Sequence, residues 1–416
     1  MDYFNVSIMY KGKKRLELIE AENHRLAIAK AKNKFPSGIV IKATPTSPPV
    51  EVVLANLSAK FKKSFKKSIN INDKIATIRQ IAVMTDAGIP INDTLQDVAS
   101  NTHNTQLKEV YFDISNDINA GKSLSDSMEK YRDEFGHVSL AMTKLGERTG
   151  NISGSYHKLA DILENIRNNI ARFKKAIRYP LITLTAMAIA FVILIMAVVP
   201  KFKEIFDKFK TDLPIPTQIL LKIEYVFSNY GLVVLVVLIV SIYALIYFYK
   251  NNEDFKYKID KILIHKRFYL INKVIFLSTM HKYTLVFGEL VRSGIPVSEA
   301  LQTAVGMVDN SVIREQLERV NANIGRGMNL SEAFEQTGLF ENMLLQMIKA
   351  GEASGQLDSM LGKVTTYYDM QFQDIIDNLS TYIEPIMMFF IAGLVLLMAL
   401  GIFMPMWDLG KAVKGG

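Results

Sequence analysis

Apolar residues along this chain recur at three different spacings, and each spacing predicts a different kind of element. At the start, Phe4, Val6, Ile8 and Tyr10 alternate with more polar neighbours, Lys11, Gly12 and Lys13 make a turn, and Leu16 and Leu18 resume the alternation. That pattern predicts a β-hairpin. Asn23 is placed to cap a helix reaching Lys34, Pro36 and Gly38 end it, and residues 39–41 supply a third strand. Residues 1–43 therefore read as a small α/β module, and the three prolines within residues 44–49 as a linker.

The spacing then lengthens to three or four. Val50, Val53, Leu54, Leu57, Phe61 and Phe65 are interleaved with Lys60, Lys62, Lys63, Lys66 and Lys67, so the segment 44–71 combines the linker with a basic amphipathic helix. Such a helix can lie on an anionic membrane surface, dock on an acidic partner, or pack on the next domain with a solvated face. Helical spacing continues over residues 72–178. Ile75, Ile78 and Ile81 mark a first helix that Gly88 and Pro90 stop, a second begins near Asp93, and a third carries Leu107, Val110, Ile114 and Ile118 to Gly121. Ser123, Leu124, Ser125 and Asp126 have the form of a capping box, which starts a fourth helix. Two more follow, the last from about residue 155 to 178. The segment predicts an all-α bundle of about six helices.

The third pattern is unbroken apolarity. Residues 181–199, 231–249 and 386–404 carry no charge, and each run has 19 residues. As helix such a run reaches about 28 Å, the thickness of a bilayer's hydrocarbon core. We read three transmembrane helices, at 180–200 between Pro180 and Pro200, at 231–249, and at 385–405 starting at Pro385. Residues 201–230 are then a periplasmic loop and residues 406–416 a periplasmic tail.

The bundle and its span occur twice. Gly294 and Pro296 follow Gly88 and Pro90 by 206 residues, as Gly327 follows Gly121; Gly351, Glu352 and Gly355 follow Gly146, Glu147 and Gly150 by 205, as Pro385 follows Pro180. A register shared over that distance identifies an internal repeat and a second bundle over 268–384. Its counterpart of the capping box is Asn329, Leu330, Ser331 and Glu332. The fold class is a mainly α membrane protein with two homologous cytoplasmic six-helix bundles, three transmembrane helices and the N-terminal module.

Charge sets the orientation. Lys250, Lys256, Lys258, Lys261, Lys266 and Arg267 follow the second run, and only Lys222 lies close before it. By the positive-inside rule its C-terminal end is cytoplasmic, which places the N-terminus inside and the C-terminus outside. The other two runs are less decisive, the first nearly balanced and the third favouring the opposite sense. The first twenty residues lack the apolar core of a signal peptide. A net charge of +8 fits a membrane surface before a nucleic acid.

Chemistry is sparse. Without cysteine there is no disulfide, thiolate metal site or thiol nucleophile. Gly121, Lys122 and Ser123 resemble the end of a phosphate loop, but Asn116 stands where that loop needs glycine. The six histidines lack ligand spacing, and the apolar runs offer a transporter or channel only Thr183, Thr185, Ser241 and a few tyrosines. Glu147 and Glu352 remain. A repeated carboxylate can bind a cation, or a basic partner residue, and a metal enzyme would use it so. It can also favour the dipole of the long sixth helix near its start and accept backbone N–H bonds there.

Taken together, Ala87 to Pro90, Gly121 with Leu124 and Ser125, Gly146, Glu147 and Gly150, Tyr179 and Pro180, Val199 and Pro200, Leu213 and Pro214, with Ser293 to Pro296, Gly351, Glu352, Gly355, Glu384 and Pro385, resemble the type II secretion protein F family. These are the inner-membrane platform proteins of type II secretion and type IV pilus machines. The resemblance covers about residues 70–410. It implies a protein with no catalytic activity and no cofactor, which couples a hexameric cytoplasmic ATPase to the extraction of pilin or pseudopilin subunits. It also implies contact with other inner-membrane components and membrane lipid, a homodimer or higher oligomer, and a cation site near Glu147 in some members. Whether such a machine secretes protein, builds pili or takes up DNA depends on its partners.

Overall fold

In the computed structural model the N-terminal alternation forms a three-stranded antiparallel sheet, β1 (Asp2–Tyr10), β2 (Lys13–Ala21) and β3 (Ile39–Thr46), in the order β2-β1-β3. Residues 2–10, 13–21, 23–36, 38–46, 69–197, 200–201 and 215–414 are described. The basic helix expected over residues 50–67, together with Leu213 and Pro214, lies outside them. The described residues fall into two units, Met1–Ser68 and Ile69–Gly416.

In the first unit α1 (His24–Lys34) starts where Asn23 accepts the Leu26 N–H at 2.9 Å, and it buries Ala27 and Ala31, one turn apart, over Phe4, Val6, Ile8, Ile19 and Ala21. The alternation of β2 has the opposite phase from the one expected. Phe4 pairs with Ile19 and Asp2 with Ala21, so Ile19 and Ala21 face α1 while Leu16 and Leu18 are exposed. Pairing Tyr10 with Lys13 fixes that register, and a shift of one residue would invert it. The expected linker also starts too early: β3 runs to Thr46, paired with Tyr3, because an edge strand tolerates Pro45.

The second unit is helical. Its elements are α2 (Ile71–Asp86), α3 (Ile91–Asn101), α4 (Thr105–Asn119), α5 (Leu124–Glu129), the single turn α6 (Arg132–Phe135), α7 (His137–Thr149) and α8 (Ile152–Ala197). Then come α9 (Ile215–Asn251), α10 (Glu253–Leu263), α11 (Tyr269–Arg292), α12 (Val297–Val305), α13 (Ser311–Gly325), α14 (Leu330–Glu335), α15 (Asn342–Ser354), α16 (Leu357–Asp377) and α17 (Leu379–Lys414). Gly88 and Gly294 carry φ of 80° and 87°, a left-handed turn that stops α2 and α11, and Pro90 and Pro296 stand at the caps of α3 and α12. One contiguous core runs through both helical segments, from Ile75 to Leu379.

Among the described residues three helices are long and apolar enough to cross a membrane, and they carry the apolar windows of α8, α9 and the α16–α17 stretch. No residue of the α9 window is buried. A helix apolar all round and uncovered by protein needs a lipid environment. α8 is one helix of 46 residues that passes through Pro180 without a break, whereas its counterpart is divided at Asn378 into α16 and α17. The loop expected over 201–230 is helical from Ile215 on. There Thr217 Oγ1 donates to the Gly401 carbonyl at 2.9 Å, and Leu220 is buried beside Ile195. Lys222 and Glu224 shorten the apolar run, not the helix. The expected C-terminal tail is likewise helical to Lys414.

Candidate functional site

The glycine–glutamate motifs form two corners of similar construction. α7 ends at Gly150, whose φ of 69° is left-handed, so α8 begins only at Ile152. Glu147 therefore sits in the last turn of α7 rather than near the start of the sixth helix. It does accept backbone N–H bonds, but those of α5: one oxygen takes the Leu124 N–H and the other the Ser125 N–H, the latter at 3.0 Å. A helix start leaves its first N–H groups without partners, and a carboxylate there both satisfies them and favours the dipole. Gly146 is required by packing. A Cβ on it would lie 3.1 Å from the Ile152 Cα and 3.2 Å from the Ser155 Cβ, across the tight passage from α7 into α8.

The second corner repeats this with α14 and α15. Glu352 accepts the Leu330 N–H at 2.6 Å and the Ser331 N–H at 3.1 Å, Gly355 ends α15 at φ 69°, and a Cβ on Gly351 would meet the Met360 Cβ at 2.8 Å. The caps differ. Ser123 Oγ accepts the Asp126 N–H at 3.0 Å, as its capping-box position predicts. The Asn329 side chain caps nothing; instead Ser331 Oγ donates to Glu352 at 2.8 Å. Gly121 and Gly327, both at φ 88°, turn the chain into these corners.

A third carboxylate cap has no counterpart in the motifs. Asp260 of α10 is 1% exposed, and accepts the Tyr249 hydroxyl at 2.8 Å, the Ser311 N–H at 2.8 Å and the Ser311 hydroxyl at 2.7 Å. It thereby ties the end of α9 to the start of α13. Nothing local marks it in the sequence, where it is one of three acids among the basic residues 250–267. It borders a cavity of about 310 Å³ between α8, α11 and α16, lined by Asn169, Phe173, Thr279, Asn310 and Phe372 among others.

The same three helices converge on His281. Its Nδ1 lies 2.7 Å from Asn169 Nδ2 and its Nε2 lies 3.6 Å from Asp369. Burial lowers its pKa from the ordinary 6.5; Asp369 pulls the other way without prevailing, and Arg172 adds to the lowering. Further contacts join the two helical segments: Lys158 Nζ donates to Ser293 Oγ at 3.3 Å, and the His137 ring stands where a Cβ on Gly306 would be. Among the described residues no three His, Asp or Glu side chains are grouped to hold a metal. What these groups do chemically is satisfy helix starts and fasten helix to helix. Pro180, Pro200 and Pro385 lie away from the corners, in or beside the apolar helices.

Comparison with known proteins is consistent with this architecture. A model of the family described as Type II secretion system (T2SS), protein F matches residues 77–200 and again residues 283–405. The type IV pilus assembly protein PilC of Pseudomonas aeruginosa is 26% identical over 347 residues, 83% of this chain and 92% of its own. The type II secretion system protein F of Vibrio cholerae is 27% identical over 409 residues, 97% of each chain. The PilC of Thermus thermophilus is 24% identical over 349 residues, 83% of this chain and 84% of its own.

Proposed function

This chain belongs to the type II secretion system protein F family, and from that premise we propose that it is the non-enzymatic inner-membrane platform of a secretion or pilus machine. The observation that carries the reading is α8. The first helical segment, held by the Glu147 corner, continues into an apolar membrane helix with no loop between them. Movement imposed on the bundle is thereby delivered to the bilayer. In this reading the two matched segments are homologous helical bundles in the cytoplasm, residues 72–178 and 268–384, and the lysines and arginine after the second apolar run support an N-terminus inside and a C-terminus outside. The bundles engage a cytoplasmic assembly ATPase, and its motion lifts pilin-like subunits from the membrane. Glu147 and Glu352 act as caps that keep the bundles rigid, in place of a cation site.

The test uses the full-length chain in lipid nanodiscs with the assembly ATPase of its own organism. Association and a changed rate of ATP hydrolysis are expected, with no hydrolysis by the chain alone. Failure to associate, combined with normal secretion and piliation in a strain lacking the gene, would sink the platform reading.

A further inference from the structure

We propose that the crevice between α8 and the α16–α17 stretch is a binding site for a single anionic phospholipid, with its headgroup at the polar end, beside α16, and an acyl chain running between α8 and α17. Two observations, one beside α16 and one beside α17 along the same side of α8, carry this. The first is a polar pocket of about 500 Å³ where the helices enter the apolar zone, lined by Arg172, Lys175 and Tyr179 on one side and Gln373, Asp377 and Ser380 on the other. Arg172, Lys175, Ala176 and Tyr179 follow the spacing i, i+3, i+4, i+7, and so do Gln373, Ile376 and Asp377 of α16 with Ser380 of α17, so one face of α8 and one face of the α16–α17 stretch line it. Asp377 is the one acid in the lining against two bases. Among the described residues neither Arg172 nor Lys175 has an ion-pair partner. A phosphate is the ligand such a pair of cations lacks, and Tyr179 and Ser380 add hydroxyl donors.

The second observation is an apolar groove of about 410 Å³ further along, between α8 and α17, lined by Leu184, Met187 and Phe191 opposite Phe389, Leu394 and Leu397. From Leu184 to Phe191 is about 10 Å of helix, inside the roughly 15 Å of one leaflet. Gly393 lies on the groove, and a Cβ there would meet nothing within 4 Å. The polar pocket sits at headgroup height and the groove at acyl height, in the order a phospholipid presents them. A basic pocket between membrane helices selects an anionic headgroup over a zwitterionic one. The inference rests only on α8 and α17 crossing a membrane, and not on the platform reading.

The experiment is native mass spectrometry of the full-length protein released from nanodiscs containing equal phosphatidylglycerol and phosphatidylcholine. Wild-type protein should retain phosphatidylglycerol preferentially. Arg172→Gln/Lys175→Gln should lower that retention about tenfold, and Gly393→Leu, which fills the groove, should lower it as well. Lys174→Gln, lying outside the lining residues, should not change it. Thermal unfolding of each variant separates lost binding from lost folding. Equal retention of the two lipids, unchanged retention in the double variant of a folded protein, or displacement by millimolar inorganic phosphate would overturn the proposal. So would loss of dimer in Gly393→Leu with lipid retention intact, which would make the groove a contact between copies. Selective lipid retention by a chain that fails to associate with the ATPase would leave this inference standing while the functional reading fell.

Discussion

The two glutamate corners use similar parts and distribute the work differently. At the first, capping of α5 is shared between Glu147 and Ser123. At the second, Asn329 contributes no side-chain cap, and Glu352 takes two backbone N–H groups and the Ser331 hydroxyl. The cores behind them differ too. Met128 meets the hydroxyls of Thr143 and Tyr156, each 3.3 Å from its sulfur, whereas Phe334 stands at the corresponding place among Phe340, Tyr283 and Phe287. A repeat thus preserves the geometry of a corner while its energetic support is redistributed.

The largest expected effect tests the cores. Phe334→Ala should destabilise the full-length protein by about 3–5 kcal/mol, and Met128→Ala by about 2–3 kcal/mol, read by denaturant unfolding in detergent. Equal losses would erase the difference between the two cores. Next come the caps. Glu352→Ala should cost about 3 kcal/mol and Glu147→Ala about 2 kcal/mol, since each truncation strands partly buried donors but α5 keeps its serine cap. Ser123→Ala/Glu147→Ala should then approach the loss in Glu352→Ala, and a double variant no worse than Glu147→Ala alone would show that the serine carries nothing. The smallest effect concerns the junction that holds the halves together. The pKa of His281 is lower in the folded protein than its ordinary 6.5, so the unfolded chain binds the proton more readily. Stability is therefore full above pH 6.5 and declines as pH falls through the folded value. Thermal midpoints across that range should show a decline that His281→Gln removes.

Much of the fold was legible because its punctuation is local. Gly88, Gly121, Gly150 and their counterparts end helices through backbone conformations that few other residues adopt, and three uncharged runs announce membrane helices by length alone. Three things were not legible, each for a non-local reason. The face of β2 depended on strand register, so Leu16 and Leu18, which carried the apolar alternation of the hairpin, are exposed. The start of α9 depended on packing of Thr217 and Leu220, which a hydropathy window does not register. The partner of Glu147 lies 23 residues away and that of Glu352 22 residues away, at the start of a different helix. The repeat kept both distances nearly equal, and that correspondence was the available clue. Asp260 and His281 carried no comparable signal.

The continuity of α8 has a mechanical consequence. At 46 residues it is a rod of about 69 Å, and the one rung its hydrogen-bond ladder must lack is the one Pro180, without an N–H, cannot donate to Ala176. A tilt of roughly 5° about its anchored end sweeps the far end sideways by about 6 Å, more than the separation of neighbouring strands in a sheet. In its counterpart the Asn378 N–H still reaches the Asp374 carbonyl and the Tyr382 N–H the Asn378 carbonyl, each at 3.1 Å, so the ladder runs on from α16 into α17. Both halves of the molecule thus hold a long helical lever that carries rotation along its axis.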